Sequence, residues 1–373
     1  MKKLSLLFII CAVCLLAENI TAQTYVNSAT GNDVSGNGSA GSPYKTFTKG
    51  YAMVASGGTL DLTGTFTWTD ADETGDAQYT GYTIAKNLTI QGHGPGNTIA
   101  QAHASPASSD RRVFTINNSI TVTFRDLSIK HGKSAGFWVN STFTNYNGGA
   151  IGSGYGTSNG VNLSLYNVNI QANYDLTANY AGVYCEGIFY AERCAFQNNT
   201  GKNGSATALE LEFSYTHNRK VINCTFYNNT SSDGSACPAV FVDRYGATFM
   251  NCTFISNTAG IKSYGMTPGS TETLIVNCIL ANSTQYDLYQ IAGGSANGTK
   301  AYNSIVETQL AGGTTISYTN CLTGDQSNLN VSTPTTNGSD NTISPFLPLL
   351  AGSVAIDAGL AAAEGLALRS LGV

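Results

Sequence analysis

One short pattern recurs through the middle of the chain and constrains the fold more than any other feature. It appears as Asn167-Val168-Asn169-Ile170, Arg193-Cys194-Ala195-Phe196, Asn223-Cys224-Thr225-Phe226, Asn251-Cys252-Thr253-Phe254 and Asn277-Cys278-Ile279-Leu280. From Val168 to Cys194, Cys224, Cys252, Cys278 and then Ser304 the intervals are 26, 30, 28, 26 and 26 residues. Self-similarity at such a period marks a solenoid, in which each repeat buries its apolar face only against its neighbours. Upstream, Leu88 and Leu127 are assigned the place of the cysteines, in Asn87-Leu88-Thr89-Ile90 and Asp126-Leu127-Ser128-Ile129.

The apolar phase within each repeat sets the geometry. Residues at the Cys position and two later are apolar, as in Cys224 and Phe226, which is strand alternation. A second apolar series, Phe124, Leu165, Ala191, Val221, Phe249 and Ile275, lies three residues before the Cys position. A spacing of three reverses the face of a straight strand, so the chain must turn a corner between the two series. Asn167, Asn223, Asn251 and Asn277 occupy that corner, where a short amide tolerates turn dihedrals and can bond its copy in the next coil. Two strands joined at a corner and repeated in this way describe an all-β, right-handed parallel β-helix. Roughly nine coils at about 4.8 Å would give a rod on the order of 45 Å long.

Composition agrees. Charged residues are 11% of the chain and Gly numbers 41 of 373, a mixture suited to strands and turns rather than long helices. A net charge of −5 offers no basic surface for a phosphate backbone, which argues against nucleic acid as a partner. Lys2 and Lys3 precede an apolar run from Leu4 to Ala17, too short to span a bilayer, and Ile20-Thr21-Ala22 offers small residues for cleavage. Residues 1–22 therefore read as a signal peptide, implying a secreted, extracellular or outer-surface protein without a transmembrane segment and most simply a monomer. The remaining chain divides into an N-terminal capping segment (23–57), the β-helix (58–325) and a C-terminal closing segment (326–373). Phe47, Tyr51 and Val54 have the spacing of a short capping helix. Seven cysteines remain after the signal. Cys194, Cys224, Cys252 and Cys278 stack as an internal thiol column or pair as disulfides between coils.

Gly148-Gly149-Ala150-Ile151, with Phe196 to Asn199, Phe226 to Asn229 and Phe254 to Asn257 as three copies of Phe-x-x-Asn, resembles the repeats of the polymorphic outer membrane protein family of adhesin-like autotransporters. Residues 120 to 285 carry this resemblance, which implies a β-helix and an adhesive role. The opening, with Tyr25-Val26-Asn27, Gly31-Asn32-Asp33, Gly41-Ser42-Pro43-Tyr44-Lys45-Thr46 and Gly57-Gly58-Thr59-Leu60, is similar to that of pectate-lyase-like β-helix proteins. Ser344-Pro345-Phe346 and Ser353-Val354-Ala355-Ile356-Asp357-Ala358-Gly359 resemble the closing segment of surface β-helix proteins with variable anchors.

Candidate chemistry is sparse. Gly92-His93-Gly94 repeats a tripeptide found in polygalacturonases, but without paired acids evident on neighbouring coils. Asp70, Asp72, Glu73 and Asp76 suit a solvated acidic insertion or, alternatively, a Ca²⁺ loop lacking the full spacing; no other cofactor is implied. Arg125, Asp126, Lys130 and His131 share one coil, and the matching sites of the next coil are Tyr166, Asn167, Gln171 and Ala172, so the cluster does not extend. The insertion from Lys133 to Gly160 carries Phe137, Trp138, Phe143, Tyr146 and Tyr155 among small polar residues. Phe137, Trp138, Tyr146 and Tyr155 are the candidate binding residues, since aromatic rings suit sugar faces or protein partners, while packing of the loop over the rod explains the same residues. The expected function is non-catalytic, adhesin-like binding of a glycan or surface protein. The alternative is a polysaccharide lyase or hydrolase acting on acidic polysaccharide.

Overall fold

The computed structural model describes residues 23–117, 119–134, 137–139, 142–144, 149–153, 161–175, 182–212, 219–265, 272–291, 298–312, 316–324, 336–337 and 342–343. The expected signal peptide and most of the closing segment lie outside these residues.

The chain forms a right-handed parallel β-helix whose coils pair strand on strand in register. Three faces recur. In the Cys194 coil a long strand, Val183–Glu192, supplies the first two and Ala195–Gln197 the third. Its opening residues pair with Leu209–Glu212, giving face I. Its later residues pair with Arg219–Ile222, giving face II. Ala195–Gln197 pairs with Thr225–Tyr227, giving face III. The bend between faces I and II falls at Gly187, with φ at 152°. A side chain there would meet the Val161 carbonyl oxygen at 2.1 Å, so the close approach of backbones requires glycine.

The corner between faces II and III is a single left-handed residue. Asp126, Asn167, Arg193, Asn223, Asn251, Asn277, Asn303 and Asn320 all have φ between 47° and 54°. Five residues later in each coil a second left-handed series follows: His131, Ala172, Asn198, Asn228, Ser256 and Asn282. Asparagine is favoured at both because its amide bonds locally and tolerates this conformation. The expected bonding between corner copies is only partly realised, with Asn167 donating to Asp126 at 2.7 Å and Asn303 to Asn277 at 3.1 Å. The continuous ladder belongs instead to the asparagines just past the second corner. Asn173, Asn199 and Asn229 each donate from Nδ2 to Oδ1 of the next member, ending at Asn257, every contact 2.9 Å.

Inside the rod, Cys194, Cys224, Cys252 and Cys278 are at most 1% exposed and stack in one column. They are thiols. In-register neighbours in parallel strands are displaced by about 4.8 Å, beyond the roughly 3.5–4.5 Å between Cβ atoms that a disulfide needs. Backbone N–H groups of Cys194 and Cys252 point at the sulfur one coil on, both at 3.4 Å. Ser304 and then Cys321 extend the column. Beside it, Phe196, Phe226 and Phe254 stack face to face, with centroids 4.6 and 4.4 Å apart.

Upstream the register corrects one expectation. Leu88 pairs with Val122 on face II rather than with Leu127, because the turn Gln91 to Asn97 is inserted at the corner. Face III resumes at Thr98–Gln101, whose Ile99 pairs with Ser128, so Thr98 takes the column position. The capping helix α1, Phe47–Met53, buries Phe47 and is followed by buried Val54. Thr46 caps it, its hydroxyl accepting from the Lys49 N–H at 3.0 Å. The acidic insertion is not simply solvated. Glu73 accepts from the N–H groups of Phe47 and Thr48 at 2.7 and 3.0 Å, Asp72 pairs with Lys45, and Asp76 with Arg111. These carboxylates clasp the helix and the first coils, and that use explains their grouping without a bound cation.

Candidate functional site

The outer side of face I gathers the residues that most resemble a functional site. Strand alternation points Val183 and Cys185, Leu209 and Leu211, and Val240 and Val242 into the core. The residues between them therefore point out. The outward rows run Tyr184, Glu210, Phe241, Lys262 and Tyr289, then Glu186 and Glu212, with Asp243 and Tyr264 continuing the second row. The Tyr184 hydroxyl bridges two coils, lying 2.5 Å from Glu186 Oε1 and 2.6 Å from Glu212 Oε2, with one proton shared between the two contacts. Lys262 Nζ lies 5.0 Å from the centroid of the Phe241 ring. Arg219, on face II, gives its guanidinium N–H groups to the carbonyls of Leu211, Tyr245 and Glu212.

Burial grades along these rows. Tyr184, Glu186, Glu210 and Asp243 are buried, Glu212 is partly exposed, and Phe241, Lys262, Tyr264 and Tyr289 are partly exposed beyond them. Glu210 is 0% exposed, and among the described residues neither of its carboxyl oxygens has a hydrogen-bond partner. Burial, reinforced by the charges of Glu212 and Asp243, raises its pKa well above the ordinary 4.5, and Lys262 and Arg219 offset only part. Burial likewise raises the Tyr184 phenol, with Glu212 and Glu186 adding to the effect.

Acids on adjacent coils are thus present, which corrects the expectation that the chain lacks them. The repeat pattern marks faces II and III, whereas this cluster lies on face I, which segments of unequal length separate from the Cys position in successive coils. The visible signal was Glu210-Leu211-Glu212 alternating with apolar residues, with Glu186 one coil earlier. Among the described residues no group of three His, Cys, Asp or Glu side chains is arranged to hold a metal ion.

The other anticipated residues lie on face II, at its corners and on face III. His93 Nε2 lies 2.7 Å from Asp61 Oδ1, an acid on a neighbouring coil that the sequence did not reveal, and Gln23 donates to the same carboxylate at 2.8 Å. Asp126 accepts from Gln91 on one side and Asn167 on the other, so the Arg125 coil is connected along the rod after all, though through amides. Arg125 stacks 3.9 Å from the Tyr166 centroid, and Tyr190 follows at 5.3 Å. Lys130 is buried, and His131 bonds the His103 carbonyl at 2.8 Å, its pKa lowered mainly by burial.

The aromatic insertion includes a small antiparallel ribbon, Phe137–Val139 paired with Thr142–Thr144, which places Trp138 opposite Phe143 in the backbone register. Tyr146 and Tyr155 lie outside the described residues. The chain returns to the rod at Ile151–Ser153, whose residues pair with Val183 to Cys185. The insertion therefore joins face I one coil before Tyr184 and Glu186.

No family model matches the chain, and no curated protein matches it in sequence. Three solved structures are similar in outline. ORF18 of Geobacillus virus E2 aligns over 86% of this chain at 14% identity with a TM-score of 0.42, and the chain spans 63% of its length. A rhamnogalacturonan lyase aligns over 76% of this chain and 74% of its own at 12% identity and a TM-score of 0.38. A GH136 lacto-N-biosidase from Eubacterium ramulus aligns over 81% of this chain and 68% of its own at 9% identity and a TM-score of 0.22. At these values no functional argument rests on the likeness. Among the described residues no helix is long and apolar enough to cross a membrane.

Proposed function

We propose that the protein is an extracellular β-helix that binds glycans along face I. One observation carries this reading: a partly exposed row of Phe241, Lys262 and Tyr289, flanked by Tyr264, runs directly into the acceptor-rich cluster of Glu186, Glu210, Glu212 and Asp243. Aromatic faces pack against sugar rings, and a few convergent polar groups fix their orientation. The signal-like start of the chain supports an extracellular setting, and the adhesin-like repeat pattern supports adhesion.

Titration of the purified chain with immobilised and soluble oligosaccharides tests the proposal. Phe241→Ala and Tyr289→Ala are expected to weaken retention at least about tenfold while the thermal midpoint moves little, since both side chains lie outside the core. Undiminished retention by both folded variants would refute it.

A second reading, glycoside hydrolysis, is favoured by Glu210 alone, a carboxyl whose pKa burial raises, with Glu212 adding to it, which is the direction a general acid needs. Binding ranks above it because Glu210 is fully buried, and a general acid must touch the leaving oxygen. Release of new reducing ends by the wild type, abolished in Glu210→Gln, would reverse that order.

A further inference from the structure

The outward side of face III is closed where strand geometry alone would leave it open. Ile170, Phe196, Phe226 and Phe254 of this face lie in the core, so the residues on either side of each point out. One outward row runs Asn169, Ala195, Thr225, Thr253 and Ile279 in register. Gln171, Gln197 and Tyr227 lie in the second. Outward residues of the same strands on face II, Ser164, Tyr166, Tyr190 and Glu192, are partly exposed. On face III, Asn169, Gln171, Ala195 and Gln197 are all at most 5% exposed. Thr225 is buried too, whereas Thr253 and Ile279, further along its row, are partly exposed. A cover therefore lies over the coils of Val168 and Cys194 and thins beyond Thr225.

We infer that this stretch of face III is a docking surface for a peptide segment, and that its occupant is the chain's own ribbon of Thr336–Asn337 paired with Thr342–Ile343. Thr342–Ile343 lies beside Val161–Gln171 and Ala195–Gln197, the two strands whose face III residues are covered. The surface has the chemistry of a peptide partner. Asn169 Nδ2 and Gln197 Nε2 both donate to Gln171 Oε1, at 2.8 and 2.6 Å, which holds the amides as one strip. Amides offer donors and acceptors together, as a polypeptide backbone does, and carry no charge to dehydrate.

The chain is long enough to arrive there. Five strand pairings carry the rod from Ala195 to Leu322, about 24 Å at the coil spacing. The twelve residue steps from Gly324 to Thr336 reach about 40 Å when extended. Residues 326–373 read from the sequence as a closing segment. The ribbon within it seats on the flank of the rod, at the middle coils, and keeps that stretch of face III from any glycan. The inference does not depend on the glycan reading of face I.

Cysteine reporters in the full chain test it. Ala195→Cys and Thr253→Cys point the same way from one row, and mass spectrometry of labelled peptides separates each from the native thiols. Under native conditions a maleimide is expected to modify Ala195→Cys at least about tenfold more slowly than Thr253→Cys, because reaction waits on displacement of the cover. Equal rates overturn the inference. The double variant Ala195→Cys/Thr342→Cys then identifies the occupant, treated with a short bis-maleimide in a mixture of isotope-labelled and unlabelled protein. Linked peptides from within one chain are expected. Links joining labelled to unlabelled peptides would put a second copy's ribbon on face III, and no link at all would give the cover to another segment; either result overturns the assignment.

Discussion

Two groups of buried polar side chains lie on adjacent coils of this rod, and they are built in opposite ways. In the asparagine ladder every member is served: Asn229 accepts from Asn199, donates to Asn257 at 2.9 Å and donates to the Phe196 carbonyl at 3.0 Å. On face I, Glu210 is equally buried, yet neither oxygen is paired among the described residues. Stacking explains the first case. Translating an amide by one coil puts its N–H₂ against the next carbonyl oxygen, so a repeated asparagine satisfies itself. Glu210 has no such copy, since its in-register neighbours are Tyr184 and Phe241, so repetition does not serve it. Self-complementary chemistry is built into the scaffold by repetition, and Glu210 stands outside it.

The ladder gives the sharpest way to break this comparison. Asn229→Leu leaves the Asn199 N–H groups and the Phe196 carbonyl short of a partner in the rod interior. With each orphaned group costing about 1–3 kcal/mol, a loss of roughly 3–5 kcal/mol is expected, read as a fall in the denaturant midpoint. A loss under about 1 kcal/mol would mean that the ladder is not what holds the corner. Tyr184→Phe comes next. It removes the hydroxyl that bridges Glu186 and Glu212 in a buried setting, and hydrogen bonds to charged groups contribute about 1.5–3 kcal/mol. Denaturation at neutral pH is expected to show a loss of about 2 kcal/mol; a neutral result would show that the two carboxylates find other donors.

The same contrast explains what was legible in the amino-acid sequence. Whatever repeats on the scaffold can be read, because translation forces like residues to align: the Cys194 to Cys278 column, the Phe196 to Phe254 stack and the left-handed corner all follow from one period. The misplacement of Leu88 shows the limit, since a turn inserted between Gln91 and Thr98 shifts the face without disturbing strand alternation. Asp61 was invisible for a related reason, as its meeting with His93 depends on that turn folding back over the corner. Glu186, Glu210 and Asp243 do not repeat as one residue type, so nothing in the period announced that they share a face.

Glu210 also makes the comparison testable by pH. Its folded-state pKa is raised, chiefly by burial, so the folded protein holds this proton more tightly than the unfolded chain. The associated stability is fully present below the ordinary value of 4.5 and is lost as pH rises through the folded value. Glu73 and Asp287 are raised for the same cause and add to the trend. Wild-type stability is therefore expected to decline as pH rises above the ordinary carboxylate range, and Glu210→Gln to decline less steeply. Parallel pH profiles for the two proteins would show that Glu210 is served by a donor in solution.

The smallest effect is expected from a tyrosine with the same local chemistry as Tyr184 but on the open side of the rod. Tyr190 donates to Glu192 Oε2 at 2.9 Å, two residues along the same strand as Tyr184, but on face II, where both are partly exposed. Its phenol is raised to about 12, mainly by burial and then by Glu192. Water competes for both partners there, so removing the hydroxyl returns Glu192 to solvent rather than stranding it. Tyr190→Phe should therefore cost no more than about 0.5 kcal/mol and leave the stacking against Tyr166 in place. Paired with Tyr184→Phe, it compares a Tyr–Glu contact two residues apart on one strand in an open and in a buried setting, with Glu212 as a further partner of Tyr184. Equal losses for the two would mean that face II is covered in solution, and the contrast between an open face and a buried one would fail.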